Sequence, residues 1–134
     1  MLGVPRRARR RTEEYLEAIY EIINRGERPG VRRLARELGV KPSSVLEYLR
    51  KLCREGFIDY RSGGEIKLTD KGLEVAREMQ RRHQLIKEFL ILLGVSPSIA
   101  EEDACYIEHG VHEETLKRIT EFIKKIKRRS KLCL

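Results

Sequence analysis

Cys105, Glu108 and His109 stand at positions i, i+3 and i+4 of one short segment. On an α-helix that spacing is a single face. A thiolate, a carboxylate and an imidazole gathered there can all reach one divalent cation, because each is a ligand for first-row metals. Glu14 and Glu17 repeat the i, i+3 spacing in the first segment with helical periodicity, and His83 lies on a third. Taken one at a time these residues have plainer uses: cysteine is often simply buried, and paired glutamates are ordinary on helix surfaces. His112 follows Gly110 and reads as a cap or surface residue, Cys53 as core, and Cys133 as terminal.

The elements that must position these groups are legible in the pattern. The first eleven residues read as a basic arm, and Thr12 as the N-cap of a helix reaching about Arg25. Its apolar stripe is Tyr15, Leu16, Ile19, Tyr20, Ile22 and Ile23. After the loop 26–30, a helix over 31–38 turns Leu34, Ala35 and Leu38 inward and stops at Gly39. Pro42, Ser43 and Ser44 open a further helix to about Glu55, with Val45, Leu49 and Leu52 inside. Helix, turn and helix with a glycine between is a DNA-binding arrangement. The segments 57–60 and 65–68, joined across Gly63-Gly64, read as a β-hairpin wing. Thr69 or Asp70 then caps a long helix ending before Gly94, in which Gly72 is tolerated near the start. Ser96-Pro97 begins another helix carrying Glu101 to His109, broken by Gly110. A last helix over 113–129 has Leu116, Ile119, Phe122, Ile123 and Ile126 at helical spacing.

Composition narrows the function. The chain has 134 residues, is 40% hydrophobic and carries a net charge of +8. Each of two small domains would have a thin core, so association between copies is expected. Its longest apolar run, Phe89 to Leu93, is far short of the ~18 residues a membrane span needs. The first residues lack the apolar stretch of a secretory signal, and three widely spaced cysteines are no disulfide framework. Both point to the reducing cytoplasm. Charged residues are abundant at 37% and amides are few, with one Asn and two Gln, a weak lean toward a thermophilic source. Residues 1–82 hold 20 Lys and Arg against 13 Asp and Glu, and residues 115–134 hold 8 against 1. Between them, residues 83–114 hold 1 against 7. A basic front suits a polyanion such as DNA, and an acidic middle suits a cation. On the recognition helix and wing, Lys41, Pro42, Ser43, Ser44, Arg50, Arg61 and Lys67 are the candidate DNA-binding residues, through hydroxyls, backbone N–H groups and cations. Glu47 would face the same groove and repel it unless it accepts from a cytosine amino group.

Five stretches in order, T-E-E-Y-L-E-A-I-Y (12–20), L-G-V-K-P-S-S-V (38–45), L-T-D-K-G (68–72), R-R-H-Q-L-I-K-E-F-L (81–90) and D-A-C-Y-I-E-H (103–109), resemble the DtxR/MntR family of metal-dependent transcriptional repressors. The resemblance covers nearly the whole chain. It implies a mainly α protein: a winged helix-turn-helix over 1–76, with its β-hairpin wing and basic arm, then an all-α dimerisation and metal-binding domain over 77–134. The resemblance is to the shorter, manganese-type members, so no SH3-like domain is expected. It also implies a homodimer that binds operator DNA once a divalent metal is bound, with no membrane, no small organic substrate and no enzymatic step. Residue by residue it assigns Glu14, Glu17, His83, Cys105, Glu108 and His109 as metal ligands.

The set is a hybrid. Glu14 and Glu17 are similar to the carboxylates of manganese-type members, whereas Cys105 stands where iron-type members have cysteine. Hard carboxylates favour Mn²⁺ or Fe²⁺, and a thiolate draws toward Fe²⁺, Co²⁺ or Zn²⁺, so the metal stays open between Mn²⁺ and Fe²⁺, with Co²⁺ and Zn²⁺ binding in vitro. Lys87 and Glu101 stand where iron-type members have glutamate and histidine ligands of an ancillary site, and an ammonium cannot ligate. Leu46 and Glu47 depart from the family's polar, uncharged pair. A dinuclear hydrolase and a metal-free thiol sensor using Cys105 are the rival readings. The winged helix has no role in the first, and the acidic setting opposes the reactive thiolate of the second.

Overall fold

The computed structural model of the chain describes residues 6–61 and 63–132. In order these form α1 (Arg6–Asn24), α2 (Val31–Leu38), α3 (Pro42–Arg54), β1 (Ile58–Asp59), β2 (Lys67–Leu68), α4 (Asp70–Leu92), α5 (Pro97–Ile107) and α6 (Glu113–Leu132). The chain divides into two compact units between Glu78 and Met79, inside α4.

The first unit is built on the apolar stripes read from the sequence. Tyr15, Leu16, Ile19 and Ile22 of α1, Leu34 and Ala35 of α2, and Val45, Leu49 and Leu52 of α3 share one buried core with Phe57, Ile58, Ile66 and Ala76. Ile23 falls outside it and is exposed, and Cys53 only packs against its edge. Gly39 ends α2 in the left-handed region at φ 66°, a conformation that costs glycine no steric strain. Its N–H and that of Val40 both return to the Ala35 carbonyl. Pro42 then occupies the first turn of α3, where its missing N–H costs no helical bond. The wing pairs antiparallel, Ile58 with Leu68 and Asp59 with Lys67. Only two residues of each strand pair, and the connection contains a turn closed by the Gly64 N–H on the Arg61 carbonyl at 2.6 Å, with Gly63 in the left-handed region at φ 74°. Ser62 lies outside the described residues.

Two further boundaries differ from the sequence reading. Residues 6–11 are the first turns of α1, not an arm, because Arg and Ala are strong helix formers and Arg10 pairs with Glu14 one turn on at 2.9 Å. Residues 1–5 lie outside the described residues. Thr12 is therefore no cap: it is buried and shares a 2.8 Å hydrogen bond with the Tyr48 hydroxyl, while Tyr15 stacks on the Tyr48 ring at 4.5 Å. At the other end, α5 stops at Ile107, and Glu108 and His109 lie in the turn after it.

The second unit buries Ile86 of α4, Ala104 of α5 and Leu116 of α6 around Leu85, Leu90 and Val111. Phe89 and Phe122 meet edge to face at 5.8 Å. The core is small, and Ile91, Leu92, Leu93, Ile99, Tyr106, Ile107 and Phe122 stay exposed.

Thr69 is the cap that starts α4. Its hydroxyl accepts from the Gly72 N–H at 3.2 Å and donates to the Gly56 carbonyl at 2.6 Å. Gly72 is more than tolerated there: a Cβ at this position would lie 2.0 Å from the Phe57 carbonyl oxygen. Gly72→Ala must therefore push α4 off the wing. It is expected to lower stability by about 2 kcal/mol or more, the upper range for overpacking against backbone, as read from the urea midpoint.

Candidate metal centre and nucleic-acid interface

The centre of the second unit is a carboxylate. Glu108 has no exposed surface at all, and an anion so placed must be countered. It is countered from two sides. Its Oε2 lies 3.0 Å from His83 Nδ1 and its Oε1 lies 3.2 Å from His109 Nε2. Cys105 Sγ is 3.8 Å from the same His83 Nδ1, with the thiol-bearing residue itself exposed. One imidazole nitrogen thus stands near both a carboxylate oxygen and a thiol, with the second imidazole on the other oxygen.

Local chemistry explains the placement. α5 is short, and its end lets Glu108 keep right-handed backbone angles, φ −55° and ψ −32°, with its N–H still bonded to the Ala104 carbonyl. The side chains of 105 and 108 therefore stay on one helical face, while His109 sits in the turn that follows. That turn is tied down by Arg82, the neighbour of His83 on α4. Its guanidinium donates to the carbonyls of Glu108 and Val111, each at 3.4 Å, and pairs with Glu113. Sequence reasoning missed Arg82, because it lies 26 residues from the carbonyl it holds and nothing in its neighbourhood marks it.

His83 faces two carboxylates. Beyond Glu108, its Nε2 stands 2.9 Å from Glu101 Oε1, an ion-pair distance whose alignment falls short of a hydrogen bond. The second oxygen of Glu101 is 2.8 Å from Lys87 Nζ. The Glu108 carboxylate, and after it Glu101, raise the His83 pKa to about 9 against the lowering effect of burial. Lys87 and His83 together hold the Glu101 carboxyl below its ordinary value. At neutral pH the centre therefore contains a protonated imidazole where a metal would need a lone pair.

The donor set fits a divalent cation. The groups are of the right types, two buried imidazoles flank one buried carboxylate with a thiol at the edge, and the proton that now balances the charge is exchangeable for a metal. Of the ligands assigned from the sequence, His83, Cys105, Glu108 and His109 come together in this unit. Glu14 and Glu17 lie on α1 of the first unit, Glu14 beside Arg10 at 2.9 Å and Glu17 half-buried.

In the first unit every DNA-facing candidate is on the surface: Lys41, Pro42, Ser43, Ser44, Glu47, Arg50, Arg61 and Lys67 are all exposed. Ser44, Glu47 and Arg50 line one groove of about 570 Å³ together with Arg11, Lys51 and Arg54. Glu47 is thus an acid set among four cations on this face, and Lys67 lies 3.8 Å from Glu65.

Fold and site define a winged-helix DNA-binding protein with a helical unit that carries a metal-type donor cluster. Residues 8–64 match the family model described as the iron dependent repressor, N-terminal DNA binding domain. Residues 69–131 match that described as the iron dependent repressor, metal binding and dimerisation domain. An HTH-type transcriptional regulator of Methanocaldococcus jannaschii is 40% identical over 117 residues, 86% of this chain and 94% of that protein. The transcriptional regulator MntR of Escherichia coli is 40% identical over 114 residues, 84% of this chain and 73% of that one. Among solved structures, a manganese-dependent transcriptional repressor in complex with manganese superposes with a TM-score of 0.75 at 30% identity, covering 84% of this chain and 52% of its own. The manganese regulator SloR gives 0.71 at 30% identity, covering 84% and 53%. The chain spans about half the length of these solved regulators. It belongs to the DtxR/MntR family of metal-dependent transcriptional repressors.

The raised pKa of His83 has a measurable consequence. A cation competes with its proton, so binding at pH 7 is expected to release about one proton from this group. Affinity should rise with pH until about 9 and level off above. Calorimetry in buffers of different ionisation enthalpy reads the proton directly. The same linkage acts on the metal-free protein. The stability contributed by the His83–Glu108 pair is complete below about pH 6.5 and is lost as pH passes through 9.

Proposed function

We propose that this chain is a homodimeric repressor that binds operator DNA when a divalent cation, Mn²⁺ or Fe²⁺, is held by Glu14, Glu17, His83, Cys105, Glu108 and His109, and that it controls genes of metal homeostasis in the cytoplasm. The observation that carries this is the buried Glu108 carboxylate flanked by two imidazoles, one of them beside a thiol, in the same chain as a winged helix whose recognition face is exposed. Residues 1–76 serve as the DNA-binding domain and 77–134 as the dimerisation and metal-binding domain. The exposed Leu92, Leu93 and Phe122 suit a dimer interface, since a core this small leaves them uncovered. The manganese named in the relatives' descriptions supports Mn²⁺, and Cys105 supports Fe²⁺.

A bound cation supplies coordination, drawing anionic and neutral donors to one point. Each side chain has a defined part in that. Glu14, Glu17 and Glu108 bring the negative charge, which in the metal-free protein repels itself and loosens α1. His83 yields its proton and offers a lone pair. Cys105 adds a softer donor. His109 holds the Glu108 oxygen and closes the set. Fixing α1 fixes the helix that Tyr15 and Thr12 tie to Tyr48 on α3, so metal binding and DNA binding favour the same state. Lys41, Ser43, Ser44, Arg50, Arg61 and Lys67 then meet phosphates and base edges, and Pro42 sets the start of α3 against the backbone.

Titration of a promoter fragment is expected to show metal-dependent binding that weakens steeply with salt. His109→Ala should abolish the metal response and leave the helical signal intact. Equal affinity in chelator would overturn the proposal.

Metal choice should follow Cys105. Replacing it with a carboxylate makes the donor set uniformly hard, so Cys105→Glu is expected to raise Mn²⁺ affinity relative to Zn²⁺ and Co²⁺. Cys105→Ala should weaken all three. The Co²⁺ adduct of the parent should show a thiolate charge-transfer band that both variants lack.

A further inference from the structure

His83 has two ring nitrogens, and the structure gives them different surroundings. Nδ1 looks into the donor cluster, 3.0 Å from Glu108 Oε2 and 3.8 Å from Cys105 Sγ. Nε2 looks away from it, toward Glu101 Oε1 at 2.9 Å. Glu101 is half-exposed, and on a free surface such a side chain would sample several rotamers. Here its other oxygen is 2.8 Å from Lys87 Nζ. Lys87 stands four residues after His83 on α4, one turn along the same face. The ammonium thus anchors the carboxylate, and the carboxylate faces the nitrogen that the cluster does not use. A histidine that binds a metal through one nitrogen commonly gives the N–H of the other to a carboxylate, which fixes the tautomer and the ring orientation. The 2.9 Å approach puts Glu101 Oε1 within reach of that bond.

We propose that Lys87 and Glu101 are a positioning pair for the metal centre. They hold the Nε2–H of His83, so the ring binds the cation through Nδ1. The Lys87 ammonium also occupies the place from which a cation could bridge Glu101 and Nε2, so no cation binds on that side of the ring. Neither residue touches the metal. This rests on the metal-centre reading above, and it adds a ligand atom and two residues to it.

The pair is tested on the full-length protein loaded with Zn²⁺, which is diamagnetic. Long-range ¹H–¹⁵N correlation of the His83 ring distinguishes a metal on Nδ1 from one on Nε2. The parent is expected to show metal on Nδ1 and a proton on Nε2. Glu101→Ala should weaken Zn²⁺ and Mn²⁺ binding about tenfold, the lower end of the range for losing such a partner. Glu101→Gln, whose amide oxygen still accepts from Nε2–H, should recover most of that loss. Lys87→Glu should add one weaker Mn²⁺ per chain to the parent's count in equilibrium dialysis. Metal on Nε2, parent-like affinity in Glu101→Ala, or an unchanged count in Lys87→Glu would each overturn the proposal. A parent that binds no Zn²⁺ or Mn²⁺ would instead overturn the metal centre itself. Thermal melts of the metal-free variants provide the folding control, and Lys87→Gln, which removes the ammonium but leaves a polar side chain, repeats the test without adding a negative charge.

Discussion

A carboxylate taken wholly out of water is the constraint around which the second unit is arranged. Burying an isolated anion costs several kcal/mol even after relaxation, so Glu108 is stable only with positive or donating groups on both oxygens. His83 meets that need at Oε2 by a hydrogen bond and carries the balancing proton, and His109 stands 3.2 Å from Oε1. In the metal-free protein the centre is therefore a buried ion pair with the proton in the place of a cation. The same geometry that stabilises the proton makes it replaceable, because the nitrogen that carries it points at the carboxylate and the thiol. Removing one partner would leave Glu108 uncompensated, which is why the cluster is both a structural and a functional unit.

The rest of the unit follows from holding that carboxylate still. α5 ends at Ile107, but Glu108 keeps helical angles, so a residue formally outside the helix is fixed as firmly as one within it. Arg82 fastens the turn that carries His109 through two backbone carbonyls. It lies directly before His83, so one turn of α4 both supplies a donor and secures the segment bearing the others. The apolar core of the unit is thin by comparison, with Ile86, Ala104 and Leu116 at its centre.

The first unit solves a different problem, that of presenting a polar helix without losing its core. Val45, Leu49 and Leu52 point inward from α3 and are fully buried, which leaves the opposite face to Ser43, Ser44, Glu47 and Arg50. α1 is joined to α3 by more than apolar contact. The Tyr15–Tyr48 stack and the Thr12–Tyr48 hydrogen bond are directional, so a displacement of α1 is felt at the recognition helix. Glu14 and Glu17 stand within two residues of those contacts on the same helix.

The elements and the types of group at the centre are local properties of the chain. Apolar periodicity in α1, α2 and α3, the glycine at 39 and the proline at 42 act within one or two turns of chain, so they are readable without a structure. The i, i+3 relation of Cys105 and Glu108 is equally local, and the five family stretches add His83 as a ligand. The contacts that required the folded chain are non-local. Arg82 reaches carbonyls 26 and 29 residues away, Gly72 is compelled by a carbonyl at Phe57, and Thr12 turned from cap to hydrogen-bond partner because Tyr48 lies opposite. The first turns of α1 were misread for a related reason: a run of arginines looks solvated in sequence, and its helicity depends on propensity and on one i, i+4 pair rather than on an apolar pattern. Which nitrogen of His83 faces the cluster belongs to this second class as well. A sequence specifies that an imidazole is present, whereas its orientation is set by Glu108 on one side and Glu101 with Lys87 on the other.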